Sequence, residues 1–151
     1  MPGQNVAQRI EPKSLGDYLD VMSKAVFQSG MSWRVVESKW PSTREAFRGF
    51  DAHKVAAMTE NDIDELAKDT WVIRNRRKLD AIVSNAQRML ELEERHESFR
   101  SYLRSHADFE ATVASLRKEF KFLGDMGCYY LLLVVGEEVP SHDEWMASRR
   151  R

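Results

Sequence analysis

Three stretches of this chain carry side chains at spacings that could do chemistry. The first is K-E-F-K-F-L-G-D-M-G-C-Y-Y-L-L-L-V-V-G, residues 118–136, where Gly124 separates a short aromatic and basic turn from an apolar helix. A helix that opens directly after a glycine leaves its first backbone N–H groups free, and with the positive end of the helix dipole they suit a phosphate. Lys118 and Lys121 stand beside that turn, whereas Asp125 sets a negative charge where an anion would approach. The second stretch is the densest basic cluster, Arg74, Arg76, Arg77 and Lys78, which fits either a polyanion contact or a solvated helix face. The third is E-E-V-P-S-H-D, residues 137–143, a polar loop carrying carboxylates. Metal chemistry is not expected, because Cys128 is the sole cysteine and His53, His96, His106 and His142 are scattered without ligand spacing.

The elements that must position these residues read as helices. Ser14 stands before a segment in which Leu15, Tyr18, Leu19, Met22, Ala25 and Val26 share one face, and Gly30 can close it in a left-handed conformation. Ser32 to Lys39 reads as a second helix stopped before Pro41, and Ser42 with Glu45 as the capping box of a third. Asp51 and Thr59 open two short helices, Asn75 to His96 is a longer amphipathic one, and Ser98 and Asp108 cap two more. Asp108 to Phe120, the turn from Lys121 to Gly124 and the helix from Asp125 to Val135 then form a helical hairpin. The expectation is an all-α fold of about eight helices: a flexible segment over 1–13, one domain over 14–146 and a basic tail over 147–151.

Composition bounds the function. With 151 residues, 42% hydrophobic, 31% charged and a formal charge of −1, the chain is globular and has no global field to draw it onto nucleic acid, so any polyanion site is a local patch. The longest apolar run, Cys128 to Val135, is less than half the length a membrane span requires, and the N-terminus lacks a signal-peptide core. A cytoplasmic monomer with no cofactor and no membrane partner is expected.

Four segments resemble one family. Q-S-G-M-S-W (28–33), F-R-G-F-D-A-H-K-V-A-A-M (47–58), V-I-R-N-R-R-K-L-D-A-I-V-S-N-A (72–86) and F-K-F-L-G-D-M-G-C-Y (120–129) are similar, in order and spacing, to those of the DNA-3-methyladenine glycosylase I family. The last segment resembles the helix-hairpin-helix with which the wider superfamily grips a DNA backbone. The resemblance implies a DNA repair N-glycosylase that flips an alkylated base out of double-stranded DNA and hydrolyses its N-glycosidic bond. It implies a base pocket of Trp33, Gln28 and Tyr129, a wedge of Gly30 and Met31, and DNA contacts from Lys118, Lys121, Phe122, Leu123, Gly124, Arg74, Arg77 and Lys78. It also places Asp143 where superfamily members carry a catalytic aspartate that stabilises the sugar cation or orients water. Three departures stand out: Ala25 replaces the family's base-contacting glutamate, the family's zinc ligands have no counterpart, and its aromatic and acidic N-terminal segment is absent. Two other readings therefore stay open: a catalytically inactive DNA-binding protein that keeps the hairpin and wedge, and a helical interaction protein with no DNA role.

Overall fold

The computed structural model describes residues 9–149. Among them are nine α-helices and no strand: α1 Leu15–Gln28, α2 Trp33–Ala46, α3 Ala52–Ala56, α4 Glu60–Lys68, α5 Arg76–His96, α6 Phe99–Leu103, α7 Phe109–Glu119, α8 Asp125–Val134 and α9 His142–Arg149. The caps sit where the side-chain chemistry puts them. Ser14, Ser32, Asp51, Thr59, Asn75, Ser98 and Asp108 each accept an N–H from the first turn that follows, and Thr59 with Asp62 closes a full capping box.

The core is built around α1, α5 and α8. Leu19, Met22, Val26 and Phe27 of α1 are fully buried, as are Leu79, Ile82, Ala86 and Met89 of α5, and Cys128 and Leu131 of α8. Helices α1 and α8 approach closely because both present small residues at their crossing. A Cβ added at Gly127 would lie 3.0 Å from Leu123 Cδ1 and 3.6 Å from the Ala25 methyl.

One expectation about the elements fails at Pro41. The chain does not stop there: α2 runs through the proline to Ala46, and Ser42 forms no capping box but donates its hydroxyl to the Trp71 carbonyl instead. An interior proline costs about 3 kcal/mol. Trp40 offsets that cost, since it is buried, stacks on Phe50 at 5.4 Å, meets Phe27 edge-on at 6.0 Å and donates its indole N–H to Asp20. Burial of such a ring gives roughly 2–3 kcal/mol and each aromatic pair about another 1.

The ends differ from expectation too. Arg9 and Ile10 are tied down, Ile10 N–H donating to the Val134 carbonyl and the Arg9 guanidinium to the carbonyls of Leu133 and Glu137. Ala147 to Arg149 continue α9, and the rest of the expected flexible segment (1–8) and basic tail (Arg150 and Arg151) lies outside the described residues. Among the described residues no helix is long and apolar enough to cross a membrane.

Candidate active site and nucleic-acid interface

Where the end of α1 and the start of α2 meet the α7–α8 hairpin, they enclose a cleft of about 520 Å³. Ala25, Gln28 and Ser29 form one wall, Trp33 and Tyr130 a second, and Phe122 with Gly124 to Gly127 of the hairpin the third. Ala25 and Gln28 share the cleft because residues three apart lie on one helix face. Trp33, 41% exposed, offers its ring to solvent while Tyr130 meets it edge-on, centroids 6.3 Å apart. Burial pushes the Tyr130 hydroxyl up to about 12, with Glu37 and Asp20 adding to the shift, so at neutral pH it is an uncharged donor. The Lys24 ammonium lies 5.4 Å from the Trp33 ring centroid and is paired with Glu37 at 2.7 Å.

The hairpin turn is held by a buried asparagine. Asn85 of α5, 1% exposed, donates to the Lys121 carbonyl at 3.1 Å and accepts the Lys121 N–H at 2.8 Å. The left-handed residue of the turn is Phe122, at φ 56°, not Gly124, whose φ of −87° is open to any residue. Gly124 matters for what it leaves uncovered. It is the N-cap of α8 without a side-chain cap, and a Cβ added there would meet nothing within 4 Å. The first amides of α8 are therefore without a side-chain partner at the N-cap. Asp125 does not oppose an anion with a bare charge, because Arg117 holds its Oδ1 at 3.0 Å and Arg149 its Oδ2. Arg149 also lies over the Trp145 ring at 4.9 Å, and Trp145 donates to Glu110 at 3.0 Å, so α9 clamps the start of α8.

The basic cluster at the head of α5 divides by role. Arg74 and Arg77 are exposed, and the Arg77 guanidinium lies 5.8 Å from the centroid of the half-exposed Phe122 ring. Arg76 is engaged by Asp64, Glu60 and Asp80. Lys78 is not a surface contact: it is 7% exposed, donates to the Ser29 carbonyl and so ties α5 to the turn bearing Gly30 and Met31. Its burial lowers its pKa.

The structure brings together Trp33, Gln28, Phe122 and Gly124 on the cleft, with Lys118, Lys121, Arg74 and Arg77 exposed. Gly30 is exposed at φ 76° and Met31 half-buried in the adjoining turn. Besides the buried Lys78, three expected residues fall elsewhere. Leu123 is buried beneath Gly127 and packs in the core. Tyr129 is buried, stacked on Trp145 at 4.9 Å and donating to the Pro140 carbonyl at 2.7 Å, and the next residue, Tyr130, turned about 100° around the helix, takes the cleft position. Asp143 is not on the cleft wall. Ser141 starts α9 just before it, Trp145 packs inward, and the Asp143 carboxylate is fully exposed with His142 Nδ1 at 4.0 Å as its neighbour. Arg117, Tyr130 and Arg149 had no motif to mark them, and Asn85, although it lies in the 72–86 segment, was assigned no role there, since each works through a contact made more than one helical turn away in sequence or through its rotation on a helix. Among the described residues no group of three or more His, Cys, Asp or Glu side chains could hold a metal ion.

The methyladenine glycosylase family model matches residues 17–121. The chain is 33% identical over 130 residues to the DNA-3-methyladenine glycosylase of Haemophilus influenzae and 32% identical over 130 residues to DNA-3-methyladenine glycosylase 1 of Escherichia coli, covering 72% of this chain and 70% of the relative in each case. The solved 3-methyladenine DNA glycosylase I of Staphylococcus aureus superimposes with a TM-score of 0.74 at 27% identity, covering 85% of this chain and 80% of that one. With the hairpin, the cleft and these likenesses in agreement, the chain belongs to the methyladenine glycosylase family.

Proposed function

We propose that the protein is a DNA N-glycosylase that excises alkylated bases from double-stranded DNA, a reading supported by its family and by the open, aromatic-walled cleft beside the hairpin. The uncovered amides of α8 and the exposed Lys118 and Lys121 hold a backbone phosphate, and Arg74 and Arg77 extend the contact along the strand. The turn at Gly30 and Met31 fills the space left in the stack, and the flipped base enters the cleft between Trp33 and Tyr130.

The chemistry asks little of the protein's own acids. An N-alkylated purine is already cationic in the nucleotide. Cleavage sends the C1′–N electron pair to the base, which leaves neutral, while a water oxygen bonds to C1′ and releases a proton to solvent. Among the described residues the single carboxylate on the cleft wall, Asp125, has both oxygens taken by Arg117 and Arg149. The base's own positive charge therefore makes it the leaving group, and stacking on the Trp33 ring holds the flipped cationic base in position for the attacking water. The carrying observation is the exposed Trp33 ring on the cleft wall beside the α8 N-terminus. Incubation with a methylated duplex tests it: free alkylated base and abasic sites are expected, whereas tight binding without either product leaves only a DNA-binding protein.

A further inference from the structure

Trp71, in the loop between α4 and α5, is 74% exposed, the most open of the large apolar side chains. A loose loop does not account for this. The Asp69 carboxylate accepts the Trp71 N–H at 2.8 Å, the Trp71 carbonyl accepts the Ser42 hydroxyl, and the Thr70 carbonyl accepts Lys39 Nζ at 3.3 Å. Val72 and Ile73, which follow, are buried. The backbone is thus fixed at the indole, and the ring is held out in water against the preference of so large an apolar side chain for burial.

The loop lies on the face of α2 that carries Val35, Lys39 and Ser42, and Val35 is itself 41% exposed. Two connections tie this face to the turn at Gly30 and Met31. Helix α2 begins directly after that turn at its Ser32 cap, and the chain beyond Trp71 runs through the exposed Arg74 to α5, where Lys78 holds the Ser29 carbonyl. At 1.5 Å per residue Lys39 lies about 10 Å along α2 from Ser32, the length of about three base pairs. The surroundings are positive: Arg34 stands exposed on the open side of α2, Lys39 reaches over the loop, and Arg74 follows it.

Resting on the glycosylase reading, we propose that Trp71 and Val35 form a second, apolar contact with the duplex, packing against the deoxyribose edge about three base pairs from the flipped nucleotide while Arg74 takes a phosphate beside them. The contact reads no sequence, because every nucleotide offers the same sugar. It releases no counterions, so it adds affinity that salt does not remove. A chain of formal charge −1 has no global attraction for DNA, and such a contact steadies the flank of the duplex while the turn at Met31 opens the stack.

The test is fluorescence anisotropy with a duplex carrying a central tetrahydrofuran abasic analogue and with two shortened duplexes, each ending about two base pairs beyond the analogue on one side, short of the contact. Wild type is expected to bind one of the shortened duplexes about 5-fold or more weakly than the full one, the low end of what an aromatic ring supplies against a nucleotide. Trp71→Ala is expected to bind the full duplex as weakly as wild type binds that shortened one and to be indifferent to the shortening, with an unchanged salt slope. Trp71→Phe is expected to regain most of the loss. Affinity unchanged in Trp71→Ala, an equal weakening on all three duplexes, or a wild-type dimer that Trp71→Ala separates each overturns the proposal while leaving the glycosylase reading intact. A wild type that binds none of the three duplexes and releases no base from methylated DNA overturns both.

Discussion

At the scale of single residues, Trp33 and Asp143 show how a side chain's role depends on where its backbone points it. Trp33 was readable from its place in Q-S-G-M-S-W, and the structure leaves its ring open on the cleft. Asp143 was placed by counting residues beyond the hairpin, but counting cannot anticipate that Ser141 starts a helix and turns position 143 outward. Asp143→Asn is accordingly expected to leave base release from methylated DNA within about twofold of wild type, because no reacting atom lies near a fully solvated carboxylate. Loss of activity in that variant would return Asp143 to the mechanism. The Tyr129 and Tyr130 pair makes the same point: composition marks an aromatic wall, and only the helix's rotation in the core decides which ring forms it.

At the scale of elements, the local signals sufficed wherever a helix end is made by its own residues. Ser14, Thr59, Asn75 and Asp108 cap the segments they precede, because capping is a contact across three residues. Pro41 was misread because what carries α2 through it, the Trp40 stack on Phe50 and Phe27, joins residues far apart in sequence. The hairpin shows the same limit. Its helices and turn were legible, whereas the Asn85 clamp and the arginine pair on Asp125 were not. That pair has a consequence for DNA binding. Arg149→Ala frees a negative charge beside the phosphate site, so affinity for duplex is expected to fall several-fold and to recover when Asp125→Asn is added. If the double variant binds no better than the single one, Arg149 acts only by holding α9 in place.

At the scale of the whole molecule, a formal charge of −1 conceals an uneven distribution. Arg76, Arg88 and Arg104 are spent on acidic partners, while Arg74, Arg77, Lys118 and Lys121 stand exposed at the head of α5 and around the hairpin. Four phosphate contacts imply that the logarithm of the binding constant falls with the logarithm of salt at a slope of about −3.6. Replacing Lys121 by alanine is expected to reduce that slope by about 1, as measured by fluorescence anisotropy across a salt series; an unchanged slope removes Lys121 from the interface. The most direct test of the central claim, that the cleft under Trp33 is where an alkylated base is cleaved, is the single-turnover rate of 3-methyladenine release from methylated duplex by wild type and by Trp33→Ala. Wild type is expected to release the base and the variant to do so about 10- to 100-fold more slowly, the worth of one stacked base, with its melting curve preserved. Equal rates from the two proteins, or no released base from either, would contradict the account.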